Sequence, residues 1–457
     1  MKIVILGAGQ VGSSVAQSLA IEANDITVVD QDPALLAKLQ ERLDIRSVAG
    51  HASHPDVLVR AGIEDADLVL AVTSSDETNM VACQVAHSLF HTPTRLARVR
   101  SSRYLEHPEL FGQGAIPIDV LISPEELVTT SIHRLIETPG ALQILDFVGG
   151  RAKMVAVRVH VEAPLAGTAL RDLRDRRHDL PMHVVAIFRQ DRLVALSADT
   201  IIRPDDELFF LAARPDIGRL VAALRNPEGK VRRVLIAGGG NIGRRLAGQI
   251  ERDYRVKLIE QNEQRCRRLA EVLDHAIVLH GDAADENLML EEDIAETDVF
   301  CALTNDDEAN ILSAMLAKRL GARRAISIVN RLSYVEIAQG AAVDIAVSPA
   351  HVTIGALLTH VRRGDVVAVH SLRRGAAEAI EIIAHGDAKT SRIVGRRVGD
   401  IALPPSVVIG GIVRGEDLLL ADHDVTIANE DHVILFLADK RQIKIVERLF
   451  QVAIGFV

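Results

Sequence analysis

Two short β-branched runs, Ile3–Leu6 and Val234–Ala237, each pass through a glycine-rich turn into a segment whose apolar residues return at helical spacing. In each case a second apolar strand follows, Ile26-Thr27-Val28-Val29-Asp30 or Val256-Lys257-Leu258-Ile259-Glu260, and ends in a carboxylate. Further strands are predicted at Leu68–Val72 and Val299–Leu303, each ahead of a helical stretch. Strands that alternate with helices in this way build a parallel sheet covered on both faces.

The two openings are copies. Gly7-Ala8-Gly9-Gln10-Val11-Gly12 recurs as Gly238-Gly239-Gly240-Asn241-Ile242-Gly243, an offset of 231 (238 − 7). The same offset relates Gly50-His51-Ala52 to Gly281-Asp282-Ala283, and Val72-Thr73-Ser74-Ser75-Asp76-Glu77-Thr78-Asn79 to Leu303-Thr304-Asn305-Asp306-Asp307-Glu308-Ala309-Asn310. Three blocks in register establish an internal duplication.

After each copy the pattern changes. Ser123-Pro124-Glu125 and Ser348-Pro349-Ala350 each predict a helix with a Ser cap and Pro in the first turn, running from Glu125 to about Ile136 and from His351 to about Arg362. Smaller strand-rich segments come next. Ala186–Arg189, Asp191–Leu196 and Pro204–Phe210 match Gly411–Arg414, Glu416–Leu420 and Asn429–Leu435 at an offset of 225 (414 − 189). Arg225–Lys230, polar and holding both Pro and Gly, reads as the linker between the halves. The expected order is a Rossmann domain at 1–123, a crossover helix at 124–145 and a small α+β lobe at 146–226. The same series then repeats at 231–348, 349–370 and 371–457. The fold class is therefore α/β, with two tandem doubly wound parallel sheets, each followed by a small lobe.

In a GxGxxG turn the first glycine permits the tight bend, the second lets a pyrophosphate approach the backbone, and the third lets helix and strand pack closely. Amides at the helix N-terminus then face the phosphates. Asp30 and Glu260, about twenty residues further on, are placed to accept hydrogen bonds from an adenosine ribose, and their charge disfavours NADP. NAD(H), ATP and ADP all carry that ribose with a chain of phosphates, so this pattern does not separate them. Thr73-Ser74 and Thr304-Asn305 follow the carboxyl end of a strand, where ligands bind in an open parallel sheet. Asp76-Glu77 and Asp307-Glu308 read as capping and charging the next helix. Leu96-Ala97-Arg98-Val99-Arg100 alternates, which puts Arg98 and Arg100 on one strand face, opposite Val99, as a pair suited to phosphate oxygens. At offset 231 their counterparts are Val329 and Arg331, so the second site is expected to lose one arginine.

With 457 residues the chain is too long for one core, and 48% hydrophobic and 25% charged residues suit globular domains. No apolar run approaches the roughly 18–20 residues that cross a bilayer, and Met1–Gly7 reads directly into a strand rather than a signal peptide, so a cytoplasmic location is expected. Cys83, Cys266 and Cys301 form neither a metal motif nor a disulfide framework. His51 with His54, and His87 with His91, lack a third metal ligand in sequence. A net charge of −10 opposes nucleic-acid binding, and a redox-sensing transcription factor is a second, weaker alternative because neither a helix-turn-helix nor a basic face is apparent. The chain lacks a GxSxG elbow, a P-loop lysine motif and a Tyr-Lys pair spaced for hydride transfer. The expectation is a nucleotide bound rather than consumed, with no catalytic residues and no metal. A soluble NAD-dependent oxidoreductase is the main alternative.

The duplicated glycine turn, the TSSDETN and TNDDEAN segments, the Arg98-Val99-Arg100 strand and the two small lobes together resemble the KTN/RCK family of bacterial potassium-transport regulatory subunits, over the whole chain. The resemblance implies a homo-oligomer, a dimer or tetrameric ring, peripheral on the inner face of the cell inner membrane through a potassium-translocating Trk membrane subunit. It implies binding of NAD(H) and/or ATP/ADP, and conversion of nucleotide state into pore conformation through differences in affinity for two shapes of the ring. It further implies first-site contacts from Gly7 to Val11, Asp30, Thr73, Ser74 and Arg98, and second-site contacts from Gly238 to Gly243 and Glu260. Arg100 is implied to reach phosphates, across a subunit boundary in one arrangement.

Overall fold

A computed structural model describes residues 1–20, 24–112, 114–175, 179–225, 229–340, 343–362, 365–372 and 376–452. Most of the expected linker, residues 226–228, lies outside these. The chain separates into two units.

The first unit holds β1 (Lys2–Leu6), α1 (Gln10–Ala20), β2 (Asp25–Asp30), α2 (Pro33–Gln40), β3 (Arg46–Ala49), α3 (Pro55–Arg60), β4 (Leu68–Ala71), α4 (Asp76–Phe90), β5 (Thr94–Arg98), α5 (Ser102–Leu105) and β6 (Val120–Ile122). The sheet order is β3-β2-β1-β4-β5-β6, with described neighbours parallel. Ile3, Val4, Ile5 and Leu6 on β1 and Leu68–Ala71 on β4 are all buried, because helices cover both faces. The order reverses between β1 and β4, and the crevice at their carboxyl ends is the place where such sheets bind ligands.

In the second unit α6 (Pro124–Glu137) precedes β7 (Ala141–Phe147), β8 (Ala152–Arg158), α7 (Leu170–Asp175), β9 (Met182–Arg189), β10 (Arg192–Leu193), β11 (Glu207–Ala213) and α8 (Ile217–Leu224). A second Rossmann sheet follows: β12 (Arg233–Ala237), α9 (Asn241–Ile250), β13 (Arg255–Glu260), α10 (Glu263–Val272), β14 (Ile277–His280), α11 (Glu286–Glu291), β15 (Val299–Ala302), α12 (Asp307–Arg319), β16 (Arg324–Ile328), α13 (Leu332–Gly340) and β17 (Ile345–Val347). Its order, β14-β13-β12-β15-β16-β17, repeats that of the first sheet. The second lobe adds β18 (Val366–Leu372), β19 (Ala377–Ile383), β20 (Val407–Arg414), β21 (Asp417–Leu420), β22 (His432–Leu437) and α15 (Ile443–Phe450).

The two crossover helices change partners. α6 follows the first Rossmann half in sequence yet groups with the second unit, where Glu126 pairs with Arg245 at 3.4 Å and the Leu135 carbonyl accepts from Arg324 at 3.1 Å. The helix after the second half, α14 (Pro349–Val361), groups with the first unit. The expected Ser cap fails at Ser348, whose buried hydroxyl makes no hydrogen bond among the described residues.

Two antiparallel five-stranded sheets, β10-β9-β11-β8-β7 and β18-β19-β22-β20-β21, share one core in which Phe209 lies 5.7 Å from Phe188 and 5.8 Å from Phe436. Gly410 and Gly411 make the approach possible. A Cβ on Gly410 would stand 2.9 Å from Val185, and one on Gly411 2.7 Å from Leu211. Several strands lie slightly off their expected bounds: β11 starts at Glu207, just after Asp206, whose carbonyl still accepts the Val159 amide at 2.9 Å while its side chain pairs with Arg189.

Candidate functional site

The two glycine turns have the same geometry. Gly7 adopts φ 111° and Gly238 φ 103°, conformations that side chains resist. A Cβ on Gly12 would lie 1.9 Å from the Gly7 carbonyl oxygen, and one on Gly243 would lie 1.9 Å from that of Gly238. These third glycines let the helix sit directly on the turn. The middle glycines, Gly9 and Gly240, would meet nothing within 4 Å. The space in front of them is flanked by exposed Gln10 or Asn241, where the first amides of α1 and α9 have no intrahelical acceptor. Val11 and Gly12 are buried beneath, while Ile242 is half-buried. The first helical turns carry no acidic residue. An open cradle of donors next to an unhindered glycine fits a phosphate chain.

Both acids stand at the end of the second strand and brace the turn. Asp30 accepts the Ala8 amide at 2.6 Å and the Asp32 amide at 2.9 Å. Glu260 accepts the Gly239 amide at 2.9 Å and the Asn262 amide at 2.8 Å, and also pairs with Arg265 at 3.1 Å. Burial pushes the Glu260 pKa up, but these two amides and the guanidinium outweigh it and hold the group below the usual carboxylate range. Arg265 was not singled out by the sequence reading. Its signal was an arginine three residues beyond the Asn262 cap, where the first half has Leu35.

Thr73 and Thr304 lie at the strand ends as expected, but their hydroxyls already have a partner. Thr73 Oγ1 donates to Asn79 Oδ1 at 2.7 Å, and Thr304 Oγ1 donates to Asn310 Oδ1 at 2.7 Å. Each asparagine is fully buried and returns its amide to the threonine carbonyl and to the last carbonyl of the next strand, that of Arg98 or Ile328. These asparagines set the loop's shape and were legible in both repeats as the residue closing TSSDETN and TNDDEAN. Ser74 and Asn305 are exposed. The caps are Ser75, accepting from the Thr78 amide, and Asp306, accepting from the Ala309 amide, so Asp76 and Asp307 do not cap. Instead Asp76 holds the amides of Arg100 and Ser101, and Asp307 those of Asn330 and Arg331.

These paired bonds correct the arginine register. Asn79 meets Arg98 where Asn310 meets Ile328, and Asp76 meets Arg100 where Asp307 meets Asn330, so the offset here is 230 (328 − 98). The second half therefore lacks both arginines, not one, and Arg331 corresponds to Ser101. Arg331 turns to Glu308 at 2.9 Å and to the Tyr334 hydroxyl at 3.0 Å. Arg100 lies beyond β5, not within it, because the strand ends at Arg98. Both first-site arginines still converge. Arg98 donates to the Thr73 carbonyl at 3.1 Å and Arg100 to the Ser74 carbonyl, with its Nε 3.6 Å from Asp76.

His51 and His54 stack at 4.6 Å rather than diverging as ligands. All three cysteines are buried, and burial pushes Cys83 and Cys301 up to about 12.

Two parallel sheets with glycine-turn cradles and two fused antiparallel lobes define a tandem Rossmann-type α/β protein with two small lobes. Residues 3–124 and 234–349 match the TrkA-N domain, and residues 154–225 and 388–451 match the TrkA-C domain. The chain is 56% identical over 456 residues to the Trk system potassium uptake protein TrkA of Halomonas elongata, covering 100% of both chains. It is 54% identical over 452 residues to that of Vibrio alginolyticus, covering 99% of both. Its fold is similar to the GsuK RCK domain, with a TM-score of 0.62 and 18% identity across 98% of this chain and 94% of that one. The GsuK channel bound to NAD gives a TM-score of 0.61 and 19% identity, covering 98% of this chain and 79% of that one. The chain belongs to the TrkA family, whose members are named for Trk-system potassium uptake. The relatives' names place it with a transport system rather than with enzymes, and the oxidoreductase alternative is set aside.

Proposed function

We propose that this chain is a nucleotide-sensing regulatory subunit that gates a Trk-type potassium-translocating membrane protein from its cytoplasmic face. The observation that carries the proposal is the pair of middle glycines, Gly9 and Gly240, each facing open space in front of a helix N-terminus. In this reading residues 1–123 and 231–348 bind nucleotide, and residues 146–226 and 371–457 are the lobes that assemble with other copies. Among the described residues no helix is long and apolar enough to cross a membrane, which suits a subunit that reaches the membrane through a partner.

The candidate ligands are NAD(H), ATP and ADP, which present phosphates to the turn and a ribose diol to the acid. Amides at Gly9–Val11 and Gly240–Ile242 hold phosphate oxygens, while Asp30 in the first site accepts from the diol. Arg98 and Arg100 release the Thr73 and Ser74 carbonyls and turn toward the distal phosphates. The carbonyls they now occupy border the same crevice. Ligands that differ by one phosphate or by a hydride differ in charge, so they engage these arginines to different extents. Such a difference in affinity is the only way a ligand can shift the balance between two ring shapes.

The test is calorimetry with NADH, NAD⁺, ATP and ADP on the intact protein, on Gly9→Val and on Gly240→Val, paired with potassium flux through the reconstituted membrane subunit. Each variant is expected to lose one class of site while keeping its fold, and flux is expected to follow nucleotide identity. Absence of binding by the intact protein at millimolar nucleotide overturns the reading, as does flux indifferent to nucleotide.

A further inference from the structure

The two ribose ends differ in charge. In the first half Asp30 closes β2, and Asp32 caps α2 two residues later. Among the described residues Asp30 has no ion-pair partner, so two carboxylates stand at this end. At an offset of 230 (260 − 30), the second half has Glu260, with Asn262 in place of Asp32 and Arg265 in place of Leu35. The first change removes a negative charge and the second adds a positive one. The net difference is two units: −2 in the first half, and zero for Glu260 with Arg265 in the second.

The geometry makes the change functional. The Glu260 side chain is only 7% exposed and is occupied by the Gly239 and Asn262 amides, whereas that of Arg265 is 47% exposed. The carboxylate is thus committed to the turn while the guanidinium remains open to solvent. Its remaining donors, in a planar fork, suit two oxygens of a phosphate. The nearest acid on α10, Glu263, is drawn away to Arg267 at 2.7 Å. Negative charge in the second half is moved one strand outward. Asp282 and Asp285 replace His51 and His54 there, and they accept the backbone amides of Ala284 and Asn287.

We propose that Arg265 makes the second site accept a dinucleotide whose adenosine ribose carries a 2′-phosphate, NADP(H), while Asp30 and Asp32 make the first site reject it. This rests on the nucleotide-binding reading above, and it reverses for Glu260 the exclusion of NADP expected from an acid at that position. The chain then reads two cofactor pools, one at each turn.

Calorimetry with NAD⁺ and NADP⁺ on full-length variants tests this. Gly9→Val, which leaves only the second site, is expected to bind NADP⁺ within about tenfold of NAD⁺, whereas Gly240→Val is expected to prefer NAD⁺ by roughly 100-fold or more. Adding Arg265→Ala to Gly9→Val is expected to weaken NADP⁺ by about tenfold or more and NAD⁺ by less than about threefold. Equal weakening of both ligands assigns Arg265 a purely structural role and overturns the proposal. Binding of NAD⁺ but not NADP⁺ by Gly9→Val also overturns it. If Gly9→Val binds neither while Gly240→Val binds NAD⁺, this inference fails and the first site stands. If the intact protein binds neither, the nucleotide reading itself fails.

Discussion

Asp206, with no exposed surface, receives both fork nitrogens of Arg189, Nε at 2.8 Å and Nη2 at 2.9 Å. The arrangement is duplicated 225 residues later (414 − 189), where Arg414 holds Asp431 at 2.8 and 2.7 Å. Each aspartate also accepts a loop amide, from Arg203 or Ala428, and each arginine caps a carbonyl, that of Ile201 or Thr426. The pair therefore pins the loop entering the central strand of each lobe. Removing the acid strands a guanidinium and an amide together. Asp206→Ala is expected to destabilise the lobe by about 3 kcal/mol, read from the urea unfolding midpoint. Asp431→Ala is expected to behave alike, and no change in either variant refutes the structural role.

The two kinds of glycine separate folding from binding. Gly12→Ala drives a Cβ to within 1.9 Å of the Gly7 carbonyl, so the turn and α1 must part. Its expected outcome is a melting temperature lowered by several degrees together with loss of first-site binding. Gly9→Ala meets nothing within 4 Å of the protein and is expected to melt like the parent while binding nucleotide more weakly. A Gly12→Ala protein of unchanged stability and affinity contradicts the packing described here.

Asn79 uses both ends of its side chain, accepting from Thr73 and donating to the Thr73 and Arg98 carbonyls. Asn79→Asp keeps the shape but replaces the donor with an oxygen facing two carbonyls. A cost of about 2–3 kcal/mol is expected in thermal or denaturant unfolding, with Asn310→Asp similar. The first-site variant is also expected to weaken nucleotide binding, because the clamped loop carries the carbonyls that hold Arg98 and Arg100.

His370 supplies a pH dependence. Burial pushes its pKa down from 6.5 to about 4, and its Nε2 is 3.0 Å from the Asp146 carbonyl oxygen, to which it donates. The unfolded chain takes up this proton as pH falls through about 6.5, whereas the folded chain does so only near 4, so stability is lost with falling pH across that window, by about 3 kcal/mol. Above pH 6.5 the residue contributes no slope. In His370→Gln, unfolding free energies at pH 7 and pH 4.5 are expected to differ by less than in the parent. Parallel pH profiles exclude this assignment.

The sequence by itself determined the duplication, both glycine turns, the acids that close the second strands and the order of domain and lobe. Each of these follows from local chemistry: a glycine conformation, a period of two or 3.6, or a residue type repeated at a fixed offset. The buried asparagines were equally visible as repeated letters, but their partners depend on strands that only the sheet brings together. Four features required the tertiary structure: the one-residue shift that turns Arg98 and Arg100 into Ile328 and Asn330, the exchange of α6 and α14 between units, the pairing of Arg265 with Glu260, and the fusion of the lobes through Gly410 and Gly411. The physical reason is the same for all four. A linear offset cannot register a single deletion inside a loop, and a side chain's partner across space is fixed by packing, on which its neighbours in sequence are silent.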